Sequence, residues 1–176
     1  KGRTEFHMVG GLHPDLPFDY YLEMIHGIKE IHPHLHLKCF TATEIRWIAD
    51  HIAKMSIEET LETLVRAGLG SLTGGGAEIF AEPTRSQICK GKQSAEDWLE
   101  VHRIAHNMGL SSTCTMLYGH IETDADRVDH ILQLRELQDE TNGFTTFIPL
   151  SFHPDNTQMS DVRPSGGILD LKNYAV

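Results

Sequence analysis

The amino-acid sequence predicts an α/β fold, an incomplete parallel βα barrel of about five βα units that forms a single domain over residues 1–176. Two observations lead there. Short β-rich runs alternate with longer runs of helical period, the order expected of repeated βα units around a parallel sheet. Each β-rich run is also followed at its C-terminal end by a compact polar or glycine-rich motif, and in a βα barrel those ends gather on one face, where active sites sit.

The first strand is expected at 5–9. It ends in "GGLHP" (10–14) and leads to a helix over 18–32 that Pro33 closes, because proline lacks a donor and disfavours helix in the residue before it. A second strand at 35–40 ends in "TATE" (41–44), followed by helices at 43–54 and 57–67. Ser56 and Glu59 form a capping box for the latter and Gly68 its C-terminal stop. The third strand, 69–73, ends in "GGGAE" (74–78), and a helix over 95–108 is capped by Ser94 with Asp97 and stopped by Gly109. The fourth strand, 112–117, ends in "YGHIE" (118–122). In the helix over 124–140 the spacing of Val128, Ile131, Leu132, Leu134, Leu137 and Gln138 predicts a sheet-facing stripe, with Asp126, Arg127 and Glu136 outward and Gly143 as the stop. The fifth strand, 144–150, ends in "FHPDN" (152–156). The tail at 166–176 reads as the start of one more helix, and both chain ends read as cut short.

A chain of 176 residues is long enough to bury roughly 70% of its unfolded surface. With 40% apolar and 23% charged residues, and no apolar run near the ~18 residues needed to span a bilayer, the expectation is a soluble globular protein off the membrane. A net charge of -10 without a basic patch repels phosphate backbones, so nucleic acid is excluded as a partner. Cys39, Cys89 and Cys114 are too far apart for the close spacing of a zinc or cluster site, so no metal ligand is assigned, and reduced, buried thiols in a cytoplasmic protein are expected. No leader precedes Lys1 in the sequence, so no export signal is expected.

Gly10 and Gly11 let the backbone approach a ligand closely, although a lone Gly-Gly is more often an ordinary βα turn. Gly74-Gly75-Gly76 is the stronger signal, since three flexible residues in a row cost chain entropy; Glu78 beside them suits ribose hydroxyls or an ammonium, and Arg85 could clamp a carboxylate. A solvated Arg–Glu pair is the plainer alternative. His120 and Glu122, two apart at a strand end, suit acid–base work, and His153 and Asn156 either bind a ligand or close a turn. His34 and His36 mimic a zinc-hydrolase HxH but precede the strand's end, which points to a surface role; His7, His26, His51, His102 and His106 read as ordinary strand, helix or surface residues. A rival reading is a metal-dependent barrel hydrolase with His13, His120 and His153 as ligands. A non-catalytic domain that binds a nucleoside through its glycine-rich strand ends is another.

Taken together, "HMVGGLHPDLPFDYYLEMIHGIKE", "HLKCFTATEI", "GGGAEIF", "AEDWLEVHRIAHNMGL", "TMLYGHIET", "LRELQDETNGF" and "FIPLSFHPDNT" resemble the radical S-adenosylmethionine enzymes of the menaquinone futalosine pathway. "GGLHP", "EIFAEP" and "LYGHIET" with "FHPDNT" are most similar to the aminofutalosine synthases of that group; the deazaflavin-cofactor enzymes and dehypoxanthine futalosine cyclases share much of the pattern. The resemblance implies a partial (βα)6 barrel, S-adenosylmethionine as a consumed substrate, and a 4Fe-4S cluster that cleaves it to a 5′-deoxyadenosyl radical. That radical would add to 3-[(1-carboxyvinyl)oxy]benzoate to give aminodeoxyfutalosine. It further implies that Gly10 and Gly11 hold the methionine amino group, that Glu78 sits near the ribose or amino group, that Arg85 takes the methionine carboxylate, and that His153 and Asn156 lie at the rim. His13, Thr41, Glu44 and Tyr118 would then bind the small-molecule acceptor, with His120 and Glu122 beside them in catalysis. The family's C-x3-C-x2-C loop is missing, so the chain alone is expected to hold no cluster and to be inactive. Expected partners are an electron donor and, because an incomplete barrel leaves sheet edges unpaired, a second copy of the chain.

Overall fold

In the computed structural model, which describes residues 2–162 and Gly167, the chain alternates as the sequence predicts. Strands β1 (Glu5–Met8), β2 (His36–Cys39), β3 (Ser112–Tyr118) and β4 (Phe144–Ser151) are interleaved with helices α1 (Phe18–Ile31), α2 (Ala42–Trp47), α3 (Ile57–Ala67), α4 (Thr84–Ile88), α5 (Ala95–Asn107) and α6 (Asp124–Thr141). The short α4 is an addition to the expected set. Most of the tail expected to begin another helix, 166–176, lies outside the described residues.

β1 pairs with β2 and β3 with β4, all parallel. The strand expected at 69–73 survives only as a bridge between the two pairs, Lys38 to Ser71 on one side and Leu72 to Ser112 on the other. Its backbone is nevertheless engaged on both sides, with Cys39 N–H donating to Ser71 O and Leu72 N–H to Ser111 O, each at 3.0 Å. The order across the sheet is therefore β1, β2, the bridge, β3, β4, with strand C-termini at one edge. Gly74 ends the bridge because nothing larger fits there: a Cβ would lie 2.6 Å from Thr113 O.

Four helices begin in reciprocal capping boxes, Thr41 with Glu44 at α2, Ser56 with Glu59 at α3, Ser94 with Asp97 at α5 and Thr123 with Asp126 at α6. Each satisfies two otherwise unpaired N–H groups and stabilises its helix by about 1 kcal/mol. The helix expected at 43–54 starts as α2, loosens into a π-helical stretch at Ile48–Ala53, and stops at Lys54 in the left-handed region, φ 55°.

The helices cover one face of the sheet. Leu37, Cys39 and Leu72 are fully buried there with Ile25, Ile45, Leu61, Leu64, Trp98 and Val101 from the helices above. The stripe expected on α6 is half right. Leu134 and Leu137 are buried, but Val128 and Leu132 are 47% and 54% exposed, and the innermost position belongs to His130, whose Nε2 reaches Thr115 O at 2.9 Å. Arg127, expected outward, turns in towards Glu122. Gly143 is not the stop of α6; Asn142 takes the left-handed turn at φ 52°, and Gly143 is required because the His106 ring occupies the space of a Cβ. Among the described residues no helix is long and apolar enough to cross a membrane.

Candidate functional site

The five strand-end motifs meet along one edge, held by bonds that cross from loop to loop. Glu44, 7% exposed, uses both carboxylate oxygens: Oε1 accepts from Gly10 N–H at 2.7 Å, and Oε2 from Thr41 N–H and Oγ1 at 2.8 and 2.9 Å. One side chain thus caps α2 and pins the loop after β1. The triple glycine packs against its neighbours; a Cβ on Gly75 would lie 2.9 Å from Thr41 Cγ2, and one on Gly76 2.6 Å from Thr43 Oγ1. Leu117 N–H donates to Glu78 O, and Phe152 N–H to Tyr118 O, each at 2.8 Å, which carries the edge on through β3 to β4.

A cleft of about 530 Å³ opens beside Gly10 and Gly11. His13 lies on its wall, its Nδ1 accepting from Asp15 N–H at 3.1 Å and its carbonyl from the Trp47 indole at 3.3 Å. A Cβ on Gly11 would touch nothing within 4 Å, so its backbone faces open space. The sequence reading missed the cleft's aromatic floor, Tyr21 and Phe40, whose rings meet edge-on at 6.0 Å. Phe40 sits at φ 64°, a strained conformation for a bulky residue at a strand end beside a cleft. The sequence carried no warning, since Phe in "KCFTA" reads as a plain strand residue. Burial, with the charge of Glu44 behind it, pushes the Tyr21 hydroxyl above its usual pKa.

Several residues expected to meet ligand hold the scaffold instead. Arg85, expected to clamp a carboxylate, is 2% exposed; its guanidinium donates to Ala77 O and Ile79 O at 2.6 and 2.9 Å and to Gln93 O at 2.8 Å. It ties two loops together and has no face towards the cleft. Glu78 sits in the left-handed region at φ 47° and pairs with Lys92 at 2.8 Å. Tyr118, expected at the acceptor, is 3% exposed and packs with Ile79 and Met116 on the helix side of the sheet. Thr41 and Glu44 form the α2 cap, and Glu44 also lines the cleft.

His120 and Glu122 are together, as expected, with Nδ1 3.0 Å from Oε2, but both side chains are fully buried. Burial pushes the Glu122 carboxyl up, yet hydrogen bonds from His120 and the Gly119 N–H outweigh it and hold the group down at about 2. Arg127 adds contacts at 2.6 and 2.7 Å. A carboxylate so fully engaged is an anchor for the loop after β3, with no lone pair left for proton transfer to a ligand. His153 and Asn156 are exposed beyond β4, Asn156 at φ 61°, so they shape a turn at the rim.

The three cysteines do not fit a 4Fe-4S cluster. All are buried, in β2, after α4 and in β3, and burial pushes the Cys39 and Cys114 thiols up to about 11 and 12, away from the thiolate a cluster needs. Among the described residues no group of three His, Cys, Asp or Glu is placed to hold a metal ion, and His13, His120 and His153 are no exception.

Comparison with known proteins gives this geometry a family. Residues 1–134 match the model of the Radical SAM superfamily. The chain is 49% identical over 181 aligned residues to an aminodeoxyfutalosine synthase of Thermus thermophilus, covering 99% of this chain and 48% of that protein. It is 52% identical to an aminodeoxyfutalosine synthase of Streptomyces coelicolor, over 90% of this chain and 41% of that one. A 5-amino-6-(D-ribitylamino)uracil–L-tyrosine 4-hydroxyphenyl transferase of Methanopyrus kandleri is 42% identical over 99% of this chain and 48% of its own length. The chain thus spans about half the length of the curated relatives it matches.

Proposed function

The chain belongs to the radical SAM superfamily, and from that premise we propose that it forms the substrate-binding wall of an enzyme that joins the 5′-deoxyadenosyl group of S-adenosylmethionine to 3-[(1-carboxyvinyl)oxy]benzoate, giving aminodeoxyfutalosine. The observation that carries this reading is 49% identity to the Thermus aminodeoxyfutalosine synthase across 99% of the chain. Membership implies S-adenosylmethionine and a 4Fe-4S cluster. S-adenosylmethionine fits the residues present: the open backbone at Gly11 and the cleft beside it leave room for a polar, zwitterionic head, and Tyr21 and Phe40 give an apolar floor. Gly10 is held in place by Glu44, so the turn is already ordered before ligand arrives. The cluster does not fit this chain's own cysteines, which are all buried.

The second reading is a deazaflavin-pathway enzyme acting on tyrosine, favoured by 42% identity to the Methanopyrus transferase. Product analysis by mass spectrometry separates them. The enzyme at the length of its relatives, reconstituted anaerobically, is given S-adenosylmethionine with either 3-[(1-carboxyvinyl)oxy]benzoate or tyrosine plus the ribitylaminouracil. Aminodeoxyfutalosine from the first mixture alone is expected; a tyrosine adduct from the second sinks the primary reading.

A further inference from the structure

The cleft beside Gly10 and Gly11 is charged on one side only. Among the described residues that line it, Glu44 carries the one carboxylate, and there is no lysine or arginine. The other polar side chains of the lining are His13, Tyr20 and Tyr21. Glu44 has no ion-pair partner among the described residues. Its Oε2 accepts from both groups of Thr41 and its Oε1 from Gly10 N–H, so a carboxylate with about four acceptor positions keeps one, on Oε1.

Tyr21 beside it is also incompletely satisfied. It is 7% exposed, its ring meeting those of Tyr20 and Phe40 edge-on at 5.6 and 6.0 Å. Its hydroxyl makes no hydrogen bond among the described residues, although a buried phenol usually finds a partner, because a polar group withdrawn from water without one costs free energy. Nor is the oxygen sealed in. The wholly buried side-chain oxygens without a partner are those of Thr43, Thr60 and Gln93, so the Tyr21 oxygen reaches the open space of the cleft. Burial, and after it the charge of Glu44, raise the hydroxyl's pKa and keep it a neutral phenol. The strained Phe40, φ 64°, belongs to the same floor, and strain of this kind clusters at ligand sites.

These groups select by charge. An anion without a compensating positive group would meet Glu44 with no cation in the lining to offset it. A primary ammonium brings three donors to the two unused acceptors, and aromatic rings stabilise a cation that reaches their faces. We propose that Tyr21 determines the ligand specificity of the cleft, its hydroxyl oxygen and the free position on Glu44 Oε1 together receiving a primary ammonium of the ligand. This rests on the reading above in taking that ammonium to be the amino group of S-adenosylmethionine, which both activities weighed there require.

The test needs neither cluster nor turnover, so its outcome is separate from the product analysis. The chain is titrated in a calorimeter with S-adenosylmethionine and with its desamino analogue, in which hydrogen replaces the amino group. Saturable binding of S-adenosylmethionine, about tenfold or more tighter than that of the analogue, is expected, the fold-change of one charge-assisted hydrogen bond. Tyr21→Phe removes the oxygen and keeps the ring. Because that oxygen has no partner in the free protein, the variant should hold or raise the urea midpoint while binding S-adenosylmethionine about tenfold more weakly. A purely structural hydroxyl would give the reverse, a lower midpoint at unchanged affinity. No saturable binding of S-adenosylmethionine, equal affinity for the two ligands, a Tyr21→Phe that binds like the parent, or a Tyr21→Phe with a lowered midpoint would each overturn the proposal.

Discussion

Acidification is expected to unfold this protein through its buried histidines, well before its carboxylates are protonated. His102 and His106 share Ser112 Oγ at 2.9 and 2.8 Å, His106 reaches Thr141 Oγ1 at 2.8 Å, and His130 lies under Phe80, bonded to Thr115 O. Desolvation lowers His106 and His130 from 6.5 to about 4, and drives His102 well below 6.5. The sign follows from linkage. A group held neutral in the folded state but free to protonate when unfolded stabilises the fold above its unfolded pKa, and that stability is lost as pH falls. Between pH 6.5 and pH 5, at about 1.4 kcal/mol per pH unit, His106 and His130 each lose about 2 kcal/mol, with His102 acting in the same direction. Against a whole-domain stability of about 5–15 kcal/mol, some 4 kcal/mol from two residues is a large share. Glu122 acts in a separate window: its pKa is lowered from 4.5 to about 2, so its contribution persists at pH 5 and fades only below 4.5. Urea unfolding followed by circular dichroism at pH 8, 7, 6 and 5 measures the effect, and His130→Gln should flatten the slope by about half of the two-residue loss. A midpoint that holds steady from pH 7.5 to pH 5 would refute the reasoning.

The anchors give three further expectations. Arg85→Lys replaces a fork that serves four carbonyls, of Gly76, Ala77, Ile79 and Gln93, with a single ammonium, and should lower stability by about 3 kcal/mol in urea titration; an unchanged midpoint would return Arg85 to the pool of ligand residues. Glu122→Gln leaves Arg127 partly buried without its carboxylate and should cost about 3 kcal/mol, whereas an acid–base role would show as lost turnover at full stability. Anaerobic reconstitution of this chain with iron and sulfide should leave it without a stoichiometric cluster, since its thiols are buried and apart; near-stoichiometric iron and sulfide would contradict that.

The architecture was legible because it is written in local signals. Ser56 with Glu59 and Ser94 with Asp97 marked helix starts to the residue, and β1, β3 and β4 lie within one residue of their expected bounds. Where the reading failed on α6, the cause was tertiary: an apolar stripe tells which residues suit a core, but not how far the neighbouring element extends, so Val128 and Leu132 were placed under cover they do not have. The convergence of the strand ends was legible for the same reason as the fold. The roles were not. Arg85, Glu44 and Glu122 have the composition of a ligand site, and nothing in the one-dimensional pattern distinguishes a guanidinium facing a substrate from one facing the carbonyls of Ala77 and Ile79.

That confusion has a structural origin. At the C-terminal edge of a parallel sheet every strand hands over to a loop, and the loop's backbone donors and acceptors lose the ladder that satisfied them. Charged side chains are the strongest partners for such groups, so an edge built to bind ligand must first bind itself. Glu44 does this for the turn at Gly10, Arg85 for the loops at 76–79 and 93, and Glu122 for the turn at Gly119. Charge at a strand end is therefore weak evidence of contact with substrate until its partners are counted. By that count the edge leaves a surface for ligand in the open backbone at Gly11 above its aromatic floor.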